Sequence, residues 1–182
     1  FTLTESDRKL ALRAAAIRQG IVSELPPIRL RKVQAGRIVV DGNLDDWDMS
    51  VAVSIDGGAD KKARVALAYD ETSLYAAFEV TDDSPMLNSG KDFALLFKTG
   101  DACDLYIATD PSADPQRTRP VAGDIRLLFS VMDKQPICVL YEPVSREGSK
   151  AMRLFTSPTG AEAFDRVEVL AAAKVVVSRK GK

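Results

Sequence analysis

The chain has 182 residues, 46% of them hydrophobic and 28% charged, a balance that suits one globular domain with a sizeable core and excludes disorder along the whole length. Its 25 basic side chains nearly cancel its 26 acidic ones, so no excess positive field draws it to nucleic acid, and no apolar run reaches the ~18 residues that a membrane-spanning helix needs. The absence of histidine removes the commonest general base, the usual activator of a serine or cysteine nucleophile and the commonest transition-metal ligand, while carboxylate-pair hydrolysis and oxygen-ligated calcium survive.

Phe1 opens the chain with neither an initiator Met nor a basic-then-apolar leader, which points to a processed chain or a piece of a longer one. Thr4 is a candidate cap, and Leu10, Ala14, Ile17 and Ile21 recur at one-face spacing, which predicts an amphipathic helix over 5–19. Arg8, Lys9, Arg13 and Arg18 decorate it as a solvated face. Pro26-Pro27 then forces an extended segment, so residues 1–36 read as a helical lead-in and 37–182 as the main domain.

From Gly36 onward short alternating runs separated by turn residues predict an all-β, antiparallel fold, with strands at 37–41, 50–55, 62–69, 73–81, 102–109, 124–132, 136–142, 151–156, 164–170 and 173–178. The clearest pair brackets the Asp70-Glu-Thr-Ser73 turn. Val65, Leu67 and Tyr69 alternate toward the core with Leu74, Ala76, Phe78 and Val80, leaving Arg64, Ala66, Ala68, Tyr75, Ala77 and Glu79 on the opposite face. Two long connections, 81–92 and 109–123, are of a length that is functional or mobile in a compact domain. Cys103 and Cys138 match no metal spacing; one disulfide and two buried thiols are both open.

Asp41-Gly-Asn-Leu-Asp-Asp-Trp47, followed by Tyr69-Asp-Glu-Thr-Ser-Leu-Tyr75 and Phe78-Glu-Val-Thr-Asp-Asp-Ser-Pro85, resembles the family 9 carbohydrate-binding module-like domains, relatives of the DOMON domains that bind sugar or haem. The resemblance covers the region after residue 36 and implies a β-sandwich of jelly-roll or immunoglobulin-like kind, about two thirds complete here. It also implies an extracellular or periplasmic location and non-catalytic ligand binding, with carbohydrate as the leading ligand. No Asp or Glu pair stands out as a hydrolytic couple, which agrees with that non-catalytic expectation.

If a sugar binds, Arg64, Tyr75, Glu79, Asp104, Tyr106 and Arg126 are the expected polar and stacking face, with Trp47 at its margin; Trp47 also reads as a fold anchor. Asp104 and Arg126 read equally as a cross-strand ion pair. For calcium, which the resemblance implies as a structural ion, the expected ligands are Asp45, Asp82 and Asp83. A haem would have to use Met86 with Lys91 or Lys98. The alternative to ligand binding is a structural module that docks neighbouring domains or subunits through the same sheet face.

Overall fold

A computed structural model describes residues 30–58, 61–148, 152–157 and 160–179. The helix expected over 5–19 lies outside them. The described residues form an all-β arrangement of ten strands with two short 3-10 segments, Met49–Val51 and Phe93–Lys98. The strands are β1 (Arg31–Lys32), β2 (Val53–Asp56), β3 (Lys62–Tyr69), β4 (Leu74–Thr81), β5 (Cys103–Ala108), β6 (Asp124–Met132), β7 (Gln135–Glu142), β8 (Arg153–Ser157), β9 (Gly160–Phe164) and β10 (Arg166–Val169).

In the first sheet β3 is central. β4 runs antiparallel along one of its edges, while β2, facing Lys62 to Val65, and the parallel β1, facing Ala68 and Tyr69, share the other. The sheet therefore begins ahead of the boundary expected at residue 36. The β3–β4 hairpin is pinned by one carboxylate. Asp70 Oδ1 accepts the amides of Thr72 and Ser73 at 2.8 and 2.9 Å, and Asp70 Oδ2 accepts the Tyr75 hydroxyl at 2.8 Å. This is an Asx turn extended by a phenol, and it explains why the hairpin falls where the sequence places it.

The second sheet is antiparallel throughout, in the order β10-β7-β6-β5. Asp133 and Lys134 both have positive φ, 49° and 66°, and make the two-residue turn whose twist suits the β6–β7 hairpin. Leu128, Val139 and Tyr141 share one face, which the 3-10 segment covers with Leu96 and the β8–β9 hairpin covers with Phe155 and Phe164. Each fully buried apolar side chain there contributes about 1.5–3 kcal/mol. The other face meets the first sheet where the rings of Phe78 and Phe129 lie 5.5 Å apart.

Four expectations change. Residues 37–41 are not a strand, because Asp46 Oδ2 accepts the Val39 amide at 2.6 Å, making a bond that a ladder would otherwise make. The run 50–55 is divided between a 3-10 turn capped by Asp48 and β2. The run 164–170 breaks at Asp165, so that Phe164 closes one hairpin and Arg166 opens β10. Residues 173–178 join no strand.

Candidate functional site

The strongest candidate site is a cleft over the outer face of β3. Alternation puts Ala66 and Ala68 on that face, with Ala77 beside them on β4, and their short side chains leave room that larger ones would fill. The 31–48 segment crosses above, anchored by the buried Ile38. Between them lies a volume of about 610 Å³, walled by Arg31, Arg37, Asp46, Trp47 and Asp48, within the usual range for a small-molecule pocket. A second hollow at the far end of the other sheet, beside Glu142, Arg146 and Arg166, holds only about 230 Å³.

The acidic motif before Trp47 builds the wall. Asp41 Oδ1 accepts the Asn43 amide at 2.8 Å, Gly42 takes φ +90°, and the Trp47 amide donates to the Leu44 carbonyl at 3.1 Å. Asp48 caps the 3-10 turn through the Ser50 amide at 3.1 Å and pairs with Arg31. The Ser50 hydroxyl, with its amide and Arg31, holds the Asp48 carboxyl below its ordinary 3.8 despite partial desolvation. Asp46 Oδ1 is buried without a hydrogen-bond partner among the described residues, and Arg37 makes no ion pair among them. The wall thus combines a half-buried indole with guanidinium donors and carboxylate acceptors. That set suits a polar ligand with an apolar face.

The residues expected to form one binding face occupy two. Arg64, Tyr75 and Glu79 lie on the outer face of the first sheet, the face that also carries the cleft floor; Tyr75 stands directly opposite Ala68. Arg64 donates to Glu79 at 2.8 Å and to the Met49 carbonyl, and Tyr75 is committed to Asp70. Asp104, Tyr106 and Arg126 lie on the second sheet, on the face under the 3-10 segment. Phe78 and Phe129 project between the sheets from the opposite sides of their strands, so the two groups point away from each other. Register in the sequence was sufficient to put each trio on one face but not to relate the faces.

Arg126 is a buried, neutralised cation. Its Nε and Nη2 donate to the two oxygens of Asp104 at 2.8 and 2.9 Å, and its guanidinium lies 4.9 Å from the Phe97 ring and 5.0 Å from that of Tyr141. Of the two readings of this pair, the cross-strand ion pair is the one the geometry makes, diagonally across β5 and β6. Burial pushes the Tyr141 phenol up to about 12. Tyr106, 67% exposed, is the one ring of the group open to solvent.

Asp45, Asp82 and Asp83 do not assemble, and among the described residues no three His, Cys, Asp or Glu side chains converge as a metal would require. Lys91 pairs with Asp133, and Lys98 donates to the Thr156 carbonyl at 3.0 Å, so both lysines weighed as haem ligands with Met86 have protein acceptors. Cys103 and Cys138 are free thiols. Both are in register with Phe129, on the strands either side of β6, and two strand spacings of about 4.8 Å separate them by more than the roughly 7 Å a disulfide spans. Burial raises both thiols, Cys138 to about 11.

Sequence reasoning missed Arg31, Arg37 and Asp48 as wall residues. The signal that marks the site was present: alanines alternating on the outer face of β3, in a chain whose single Trp lies in the segment that folds over them. No protein-family model, curated protein or solved structure matches the chain.

Proposed function

We propose that the chain is a non-catalytic ligand-binding module of the carbohydrate-binding β-sandwich kind, and that its ligand is a saccharide held in the Trp47 cleft. The observation that carries this reading is the cleft itself: about 610 Å³ above Ala66 and Ala68, with an indole on one wall and arginine and aspartate side chains on the others. The apolar face of a pyranose stacks on an indole, and its hydroxyls both donate to carboxylates and accept from guanidinium groups. The cleft replaces the wider face expected from the sequence, because only Trp47 of the expected residues lines it.

Trp47 is the only Trp in the chain, so indole emission reports on this cleft alone. Titration with mono- and oligosaccharides is expected to shift that emission saturably. Arg37→Ala, at an exposed position, should weaken binding about tenfold, the equivalent of one charge-assisted hydrogen bond. Ala68→Leu should abolish it by filling the floor. Unchanged emission through millimolar sugar would overturn the reading.

A docking role has one observation in its favour. Ile55 and Val80 flank Ala63 in one cross-strand row and are 57% and 53% exposed, an apolar strip on the sheet face opposite Arg64 and Glu79 rather than on the face expected from the sequence. A module that works by docking leaves the Trp47 emission silent in the same titration.

A further inference from the structure

The wall of the Trp47 cleft is a loop drawn closed on itself. At its base Asp46 Oδ2 accepts the Val39 amide at 2.6 Å; within it Asp41 Oδ1 accepts the Asn43 amide at 2.8 Å, and the Trp47 amide donates to the Leu44 carbonyl at 3.1 Å. Asp46 and Trp47, at the base, line the cleft, while Gly42 lies toward the tip. These bonds are local, so they fix the shape of the loop rather than its place above the sheet. Its two ends are held separately. Ile38 is buried ahead of it, and behind it Arg31 pairs with Asp48 and Arg64 donates to the Met49 carbonyl.

The tip is held from the far end of the sequence. The Ser178 hydroxyl donates to the Gly42 carbonyl at 2.6 Å, across 136 residues. A Cβ on Gly42 would stand 2.8 Å from the Ser178 Cβ and 3.2 Å from Val176 Cγ1, closer than side chains pack, so glycine at this position lets residues 176 and 178 seat against the tip. The segment that carries them runs without turn or bend from 173 to 179 and is itself fastened to the second sheet. There the Leu170 amide donates to the Cys138 carbonyl at 2.9 Å, and the Ala173 amide donates to the Leu170 carbonyl at 3.0 Å. Ser178 and Val176 thus tie the second sheet to a wall of the cleft that lies over the first. Neither side chain lines the cleft.

We infer that Ser178 and Val176 are positioning residues of the Trp47 cleft. They brace the loop tip, keep the indole and the Asp46 carboxylate above the alanine floor, and so tune ligand affinity without touching the ligand. The effect on affinity rests on the saccharide reading of the cleft; the brace itself does not.

The test uses the whole chain and two readouts of Trp47, both taken well below the melting temperature so that a loss of stability alone moves neither. The first needs no ligand. Ser178→Ala is expected to increase the collisional quenching of the indole by acrylamide in the free protein, and Val176→Ala to act in the same direction. The second is the saccharide titration, in which Ser178→Ala should weaken binding about threefold, the equivalent of one neutral hydrogen bond. Val177, between the two and 43% exposed, supplies the control: Val177→Ala should change neither readout. Quenching that is the same in Ser178→Ala as in Val177→Ala overturns the brace, whether or not a sugar binds. In a chain that binds sugar, equal affinity of Ser178→Ala and the wild type overturns it as well. A wild type that binds no saccharide refutes the proposed ligand instead, and the quenching then decides the brace alone.

Discussion

Arg126 and Asp104 show how a pair of residues acquires a role that depends on what lies above it. A guanidinium 6% exposed is tolerable only when its charge is met and its planar faces are covered, and here a bidentate carboxylate does the first while Phe97 and Tyr141 do the second. Asp104→Ala strands the cation and is expected to cost about 2–4 kcal/mol, below the usual range for a fully buried pair because the Asp104 side chain is 30% exposed. The double replacement Asp104→Leu with Arg126→Met should recover most of that loss, because it leaves no charge behind. Urea unfolding of the two single variants and the double variant checks this; a double variant no more stable than Asp104→Ala would contradict it. The sequence puts the two residues on separate strands whose facing sides could meet, and so leaves sugar bracket and ion pair open. What decides between them is the Phe97 ring, which comes from a segment about 30 residues earlier than Arg126 and whose path no local pattern reveals.

Among the elements, the ones that sequence patterns place best are those pinned by nearby groups. β3, β4 and β6 fall where alternation puts them, and the β3–β4 turn is set by Asp70 within five residues of its farthest partner. The long connections are a different case. The 81–92 segment is fastened by Asn88, whose side-chain amide reaches the Leu96 carbonyl at 2.8 Å and the Ser130 hydroxyl at 3.1 Å, the latter partner 42 residues away. The 109–123 segment is tied at its end by Arg117 and the Val121 amide, both on Asp124. Their length suggested function or mobility, and these hydrogen bonds give them a structural task. Gly42 is the clearest long-range junction, since its neighbours in space are residues 176 and 178. Gly42→Ala adds backbone strain at φ +90° and collides with Ser178, whereas Gly36→Ala, at φ +76° with open space around it, adds strain alone. Gly42→Ala is therefore expected to lower the melting temperature more than Gly36→Ala and to open residues 171–179 to proteolysis. Equal shifts in the two variants would show that the contact with residue 178 contributes nothing.

For the molecule as a whole, pH is the simplest probe, because a chain without histidine has no side chain with an ordinary pKa between about 5 and 8. Hydrogen bonds from Thr72 and Tyr75 hold Asp70 below its ordinary 3.8, Arg117 does the same for Asp124, and Ser112 for Asp110. A carboxylate with a depressed folded pKa contributes stability above its unfolded value and loses it as pH falls through the folded one. Stability should accordingly be flat from about pH 5 to 8 and drop below pH 3.8, with Asp70→Asn reducing the size of the acid-side drop; a melting temperature that slopes steeply across neutral pH would contradict this. The all-β class was legible because alternation is local. The way sheets and loops come together was not, and that is why the expected binding face divides and the cleft forms beside only one half of it. The register of Cys103 and Cys138 on either side of Phe129 has one more consequence. With the two sulfurs beyond each other's bonding reach and both thiols raised by burial, reductant is expected to leave the melting temperature where it was in air.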